Sequence, residues 1–243
     1  MIELRHVSKR IRSGKGWITA VSDLSLRVEM GDRIAILGPS ASGKSTALRL
    51  LNGADEISSG TAVRDLRASW PIPQSTFLNG ILTVVANARF IARLYGMNQE
   101  RYLEQVLEFS ELKSQARSKV ASLTGLQRNQ LGFALGLFAD FDVYLFDESI
   151  GVGGVDFREK CTRAIKYLAS TRSIVIATGS PAIAKEYCDQ SYVINRGVST
   201  YYNDMDEACS VLEALKAATK AEKAEEAQAQ PEEEKPDDLL EFL

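Results

Sequence analysis

The run Gly38-Pro39-Ser40-Ala41-Ser42-Gly43-Lys44-Ser45-Thr46 fits the pattern G-x-x-x-x-G-K-[ST]. Its residue types suit one chemistry. Glycines let backbone N–H groups converge on phosphate oxygens, and the start of a following helix adds the positive end of its dipole. Lys44 supplies a point charge for β- and γ-phosphates, and Ser45 a hydroxyl for Mg²⁺. Further along, the apolar run Val143-Tyr144-Leu145-Phe146 ends in Asp147-Glu148. A carboxylate at the mouth of a strand beside a phosphate loop can hold Mg²⁺ through water, the role expected of Asp147. Glu148 points to the other side and can orient an attacking water. Alone, Asp147-Glu148 reads equally as a strand-end turn; the phosphate loop upstream favours the chemical reading. Together the two stretches predict binding and hydrolysis of a nucleoside triphosphate such as ATP.

These side chains need a scaffold. Arg33 to Leu37 reads as a short buried strand and Ser45 to Leu51 as a helix, so the loop sits at a strand-to-helix junction. Ile2 to Val7 and Ile18 to Val28 alternate apolar with polar residues, predicting antiparallel strands joined by a loop over Arg10 to Gly16. Val143 to Phe146 and Ser173 to Ala177 read as further core strands, with helices over Leu126 to Phe138 and Phe157 to Leu168. Tyr192 to Asn195 and Ser199 to Tyr202 form a hairpin around Arg196-Gly197. Strands alternating with helices predict an α/β fold with a parallel sheet covered on both faces. Thr83 to Ser118 is helical in pattern, and the stretch near 83–139 is expected to be a helical subdomain.

With 243 residues, 45% of them hydrophobic and 25% charged, the chain can hold one large α/β domain with such an insertion. That domain is expected over 1–215. Lys216 to Lys235 is almost all Ala, Glu, Lys, Gln and Pro, so 216–243 reads as a disordered acidic tail, helical only transiently before Pro231. Its end, Asp237 to Leu243, is a frayed terminus or a docking peptide.

Composition excludes several classes. A net charge of −3 gives no global reason to expect nucleic acid, which usually draws a basic face. The three cysteines, Cys161, Cys188 and Cys209, are far apart and match neither a disulfide framework nor a zinc site. The only histidine is His6, so neither a multi-histidine metal site nor a Ser-His-Asp triad is expected, and His6, among apparent strand residues, reads as structural. The N-terminus lacks a signal-peptide pattern. The longest apolar run, Leu131 to Ala139, is too short to span a bilayer, so membrane involvement is expected through a partner.

Between the two chemical stretches lies Ser122-Leu123-Thr124-Gly125-Leu126-Gln127-Arg128. By itself it is a helix start capped by Ser122 or Thr124. With the phosphate loop and Asp147-Glu148 it resembles the ABC (ATP-binding cassette) ATPase family, whose signature reads Leu-Ser-Gly-Gly-Gln. Leu123, Thr124, Gly125 and Gln127 fit, and Leu126 replaces the second glycine. The resemblance implies that two subunits sandwich ATP, with Thr124, Gly125 and Gln127 of each facing the nucleotide held by the other. It also implies that Gln74, ahead of Thr83, contacts Mg²⁺ or the water and reports to the membrane partner, though that glutamine can instead align near Asn79. Trp70-Pro71, Arg89 to Gly96 and Asp140 to Tyr144 are similar to capsular-polysaccharide exporter ATPases.

The sequence departs from that family at three other places. Gly179 stands where family members carry a switch histidine, the stretch Ser149 to Gly154 lacks an aspartate, and Ile11 replaces the adenine-stacking aromatic. Trp17 is either its substitute or a strand anchor. The resemblance implies an ATPase subunit, paired with itself or a paralogue. It would drive a polytopic permease that exports a surface polysaccharide, at the cytoplasmic face of the inner membrane. The departures imply slow turnover, or alternatively a regulatory module that binds ATP and hydrolyses little.

Overall fold

The computed structural model describes residues 1–229 except 15, 74, 76, 149, 150 and 152, with only the backbone for 13 and 223–229. β1 (Ile2–Ser13) and β2 (Gly16–Val28) pair antiparallel down to Ser13 opposite Gly16. The loop expected over Arg10 to Gly16 is therefore mostly strand. His6 sits at a register shift in β1 with φ 48°, and its Nδ1 lies 3.0 Å from Asp23 Oδ1. The structural reading of His6 fits that position.

β3 (Arg33–Leu37) leads into α1 (Lys44–Leu51), and β4 (Ser59–Arg64) returns beside β1. α2 (Val84–Leu94), α3 (Gln99–Ser110) and α4 (Gly125–Phe138) occupy the stretch expected to be helical. Then follow β5 (Val143–Asp147), α5 (Val155–Thr171), β6 (Ser173–Thr178) and α6 (Pro181–Tyr187). The chain closes with the hairpin β7 (Gln190–Asn195) and β8 (Val198–Tyr202), and then α7 (Met205–Ala229). The sheet order is β4-β1-β2-β8-β7-β3-β6-β5, and β7, β3, β6 and β5 run parallel.

Both faces of that parallel block are buried, which explains strands that read as unbroken apolar runs. Ala35, Leu37, Ile174, Ile176 and Phe146 join one core, packed under the helical stretch and α5 to α7. Ile34, Ile36, Leu145, Val175 and Ala177 join a second core with α1 and the antiparallel strands. Within the helical stretch, Phe109 stacks on Phe133 at 5.8 Å and meets Phe157 edge-on at 5.6 Å, tying α3 and α4 to α5. No helix among the described residues is long and apolar enough to cross a membrane.

One segment differs from expectation. Residues 216–229, read as disordered tail, continue α7. The helix is seeded by Ala208 and Leu212, which are fully buried, and Ala-, Glu- and Lys-rich sequence propagates a helix once begun. Residues 230–243 lie outside the described residues. Docking of α7 should therefore be measurable. Leu212→Ala should lower unfolding stability by about 2–5 kcal/mol in a denaturant titration, and a midpoint equal to that of the parent would mean that the helix is not packed on the sheet.

Candidate active site

Strand register assembles the site. Leu37 at the end of β3 pairs with Thr178 on β6, and Asp147 at the end of β5 pairs with Ala177. The next residues along each strand, Gly38, Gly179 and Glu148, thus emerge together at the carboxyl edge of the parallel block. β3 lies between β7 and β6 with both neighbours parallel to it, so the loop after β3 opens at the carboxyl edge inside the sheet.

The phosphate loop is shaped by close approaches. A Cβ on Gly38 would stand 2.5 Å from Ile194 O, and one on Gly43 would stand 2.9 Å from Ala20 O. Gly43 also has φ 111°, and Ala41 has φ 63°, so the loop's amides turn inward in the manner of an anion-binding nest. Ser42 Oγ is buried without a partner among the described residues.

Lys44 is buried, and its Nζ donates to Gly38 O at 3.1 Å and Pro39 O at 2.9 Å. Glu148 Oε1 lies 3.2 Å from the same ammonium. Glu148 adopts φ 54°, an uncommon conformation for a residue with a side chain, and its backbone N–H donates to Ala177 O at 2.8 Å. Ser45 donates its hydroxyl to Asp147 Oδ1 at 3.1 Å. Burial pushes the Asp147 carboxyl above the usual range. The Ser45 hydrogen bond opposes that, and neighbouring Glu148 adds to it. Ser45 and Asp147 are hard oxygen ligands of the kind Mg²⁺ takes when phosphates and waters supply the rest, so the residues present fit that ion.

Two cavities flank Lys44. One, of about 420 Å³, is lined by Gly38, Pro39, Ser40, Lys44, Glu148 and Gly179, and by Lys216, Thr219 and Lys220 of α7. The other, of about 300 Å³, is lined by Ala41, Gly43 to Thr46 and Glu148, and by Ile18, Thr19 and Ala20 of β2. The six residues from β2 and α7 were not foreseen. For β2 the sequence holds no signal. For α7 the spacing of Leu212, Leu215, Lys216, Thr219 and Lys220 puts them on one helical face, a signal obscured by the low-complexity composition. Neither Ile11 nor Trp17 lines either cavity; Trp17 is exposed, with the Arg10 guanidinium 5.3 Å from its ring centre.

Other expected residues lie apart from these. Thr124 caps α4, accepting from Gln127 N–H at 3.2 Å, while Gln127 Oε1 accepts from Thr124 N–H at 3.0 Å. This reciprocal capping box is the structural role open to the segment. Thr124, Gly125 and Gln127 line neither cavity, and Leu126 is half exposed beside them. Gln74 lies outside the described residues, as do Ser149, Ile150 and Val152 of the stretch after Glu148.

Comparison with known proteins gives a consistent family. The family model described as "ABC transporter" matches residues 21–151. The chain is 36% identical over 208 residues to the ATP-binding protein BexA of Haemophilus influenzae, covering 86% of this chain and 96% of that protein. It is 36% identical over 215 residues to the capsule polysaccharide export ATP-binding protein CtrD of Neisseria meningitidis serogroup B, covering 88% of this chain and 100% of that protein. Its fold matches a dimeric ATP-binding cassette bound to ADP and Pi, with TM-score 0.72, 21% identity, and coverage of 83% of this chain and 98% of that one.

The Asp147 environment makes a prediction about pH and stability. Its folded-state pKa lies above the unfolded value, so the folded protein binds more protons in that window. Stability then falls as pH rises from the unfolded pKa through the raised one. Asp147→Asn, which never ionises, should melt a few degrees higher at neutral pH without nucleotide, and should lose the Mg²⁺ dependence of ATP binding. A lower melting temperature would show that the carboxylate is stabilised where it lies.

Proposed function

The chain belongs to the ABC transporter family, and from that premise we propose that it is the ATP-hydrolysing subunit of an exporter of capsule- or surface-type polysaccharide. The observation that carries the chemistry is the meeting of Lys44, Ser45, Asp147 and Glu148 at the carboxyl edge of the sheet. In this reading the loop amides and Lys44 hold the β- and γ-phosphates of ATP, whose oxygens replace the Gly38 and Pro39 carbonyls on the ammonium. Ser45 and Asp147 hold Mg²⁺, which supplies charge neutralisation across the phosphates. Glu148, released from Lys44, orients a water and takes its proton as the water oxygen bonds to the γ-phosphorus. The bond from that phosphorus to the β,γ-bridging oxygen breaks, leaving ADP and phosphate. Two such subunits, identical or paralogous, close face to face, so that each Thr124-Gly125 helix start meets the other's nucleotide.

Turnover is slow in this reading. Gly179 contributes no side chain to the cavity, and a single preorganised contact to a transition state is worth about 2.7–4 kcal/mol. A second reading, an ATP-binding regulatory module with little hydrolysis, draws on the same glycine and on the bulk of Leu126. Single-turnover hydrolysis separates them. The ATPase reading expects slow phosphate release that Glu148→Gln abolishes and Gly179→His raises about tenfold or more. A Cβ at Gly179 has as its nearest neighbour Gly38 O at 3.7 Å, an ordinary van der Waals contact, so the backbone there admits a side chain. No phosphate release, with or without a permease, favours the regulatory module. Turnover indifferent to Glu148→Gln would remove Glu148 from the mechanism.

The permease is assigned to a groove of about 390 Å³ between α2 and the segment after Trp70, lined by Trp70, Pro71, Phe77, Phe90, Leu94 and Tyr95 among others. Phe77, Phe90 and Leu94 are exposed, and the buried Trp70 Nε1–H has no partner among the described residues. Ile81 and Leu82 are also exposed, whereas Leu78 is half-buried against the core. An apolar concavity holding a spare donor suits a short segment of a membrane partner at the cytoplasmic face of the bacterial inner membrane. Phe77→Asp with Phe90→Asp should lose a co-purifying polytopic membrane protein while ATP affinity stays within about twofold. Retention of that protein by the folded double variant would place docking elsewhere.

A further inference from the structure

The strongest feature left unused by that reading is the continuation of α7 past Leu215. Lys216 and Thr219 are half-buried, and with Lys220 they form a wall of the larger cavity beside Lys44. The opposite contributors to that cavity are Gly38 to Ser40, Glu148 and Gly179, and the last leaves space where a side chain would stand. The helix is fastened there at two levels. Leu212 is fully buried one turn before Lys216, and beyond Lys220 the Glu222 carboxylate accepts from Arg196 Nη2 at 2.6 Å. Arg196 belongs to the β7–β8 turn, whose Gly197 N–H donates to Ser42 O of the phosphate loop at 3.1 Å. The position of α7 is thereby coupled to the loop itself.

We propose that Lys216, Thr219 and Lys220 bind the terminal phosphate of the nucleotide from within the same chain, adding two ammonium groups and a hydroxyl to the site. The inference rests on the reading of this cavity as the ATP site. Terminal phosphate is specified because Lys44 and Glu148, which line both cavities, meet Gly179 only in this one, whereas the β2 residues, Ser45 and Thr46 line the other. Lys216 pairs with Glu213 at 2.9 Å, and Lys220 has no ion-pair partner among the described residues. Both line the cavity and carry long flexible stems, which let an ammonium group adjust to an anion there. Charge-assisted contacts of this kind discriminate between ligands that differ by one phosphate.

The test measures affinity of the full-length protein for a non-hydrolysable ATP analogue and for ADP, both with Mg²⁺. Lys216→Gln combined with Lys220→Gln keeps strong helix formers at both positions. The analogue should bind about tenfold more weakly to the double variant, and ADP within about twofold of the parent. The loss should shrink as salt is raised, and Lys216→Arg with Lys220→Arg should restore binding. Unchanged affinity for the analogue, equal weakening for both ligands, or tighter binding overturns the inference. Tighter binding would show instead that α7 covers the site. A parent protein that binds neither ligand, or a Lys44→Ala variant that binds both normally, would overturn the ATP-site reading itself, an outcome distinct from failure at α7 alone.

Discussion

A buried ammonium has to be compensated, and Lys44 is where this structure meets that demand. Its charge is held by two loop carbonyls and by Glu148, a residue from a strand two places away in the sheet. Those partners exist only if β3, β6 and β5 run parallel and end at the same height. Burying a charge without them would cost several kcal/mol. The requirement reaches into the backbone as well, because Glu148 takes a positive φ at the end of β5 and Gly38 and Gly43 permit contacts that any side chain would block.

The same arrangement sets the carboxylates apart. Asp147 is partly buried, bonded to Ser45, and pushed toward its neutral form by desolvation, while Glu148 is largely exposed beside the ammonium. β5 ends at Asp147 and Glu148 follows it with φ 54°, so the backbone turn at the strand end separates an ion ligand from a residue open to the cavity. A bound cation would reverse the disadvantage of an ionised Asp147, which ties metal affinity to the cost of burial at that position.

α7 alters the picture of the chain's end. Alanine, lysine and glutamate without large apolar residues read as solvated sequence, yet they are also strong helix formers. Nucleation decides between the two outcomes. Ala208, Cys209 and Leu212 dock the first turns, so residues after Leu215 inherit a helix that is already begun and the β7–β8 turn receives Glu222. A segment with no core of its own thereby reaches the phosphate loop.

What could be read from sequence follows from locality. The phosphate loop, the strands Arg33–Leu37 and Val143–Asp147, and the capped start of α4 are specified by residues within a few positions of each other, and each formed within a residue or two of its expected bounds. Their motifs assign Asp147 and Ser45 a common expected role at Mg²⁺, whereas the hydrogen bond between them came only from the structure. The extended β1–β2 hairpin was not, since the pairing of Ser13 with Gly16 competes with a loop that local composition favours equally. Ile18, Thr19 and Ala20 could be assigned to the cavity only once β2 was laid against α1, and Lys216, Thr219 and Lys220 only once α7 was docked. Thr124 and Gln127 mark the remaining boundary. Their sequence specifies a helix cap, which the structure forms, whereas a role at a nucleotide requires a second chain to bring them there. Short-range geometry is written in residue types, but which distant surfaces meet is decided by packing of the whole sheet.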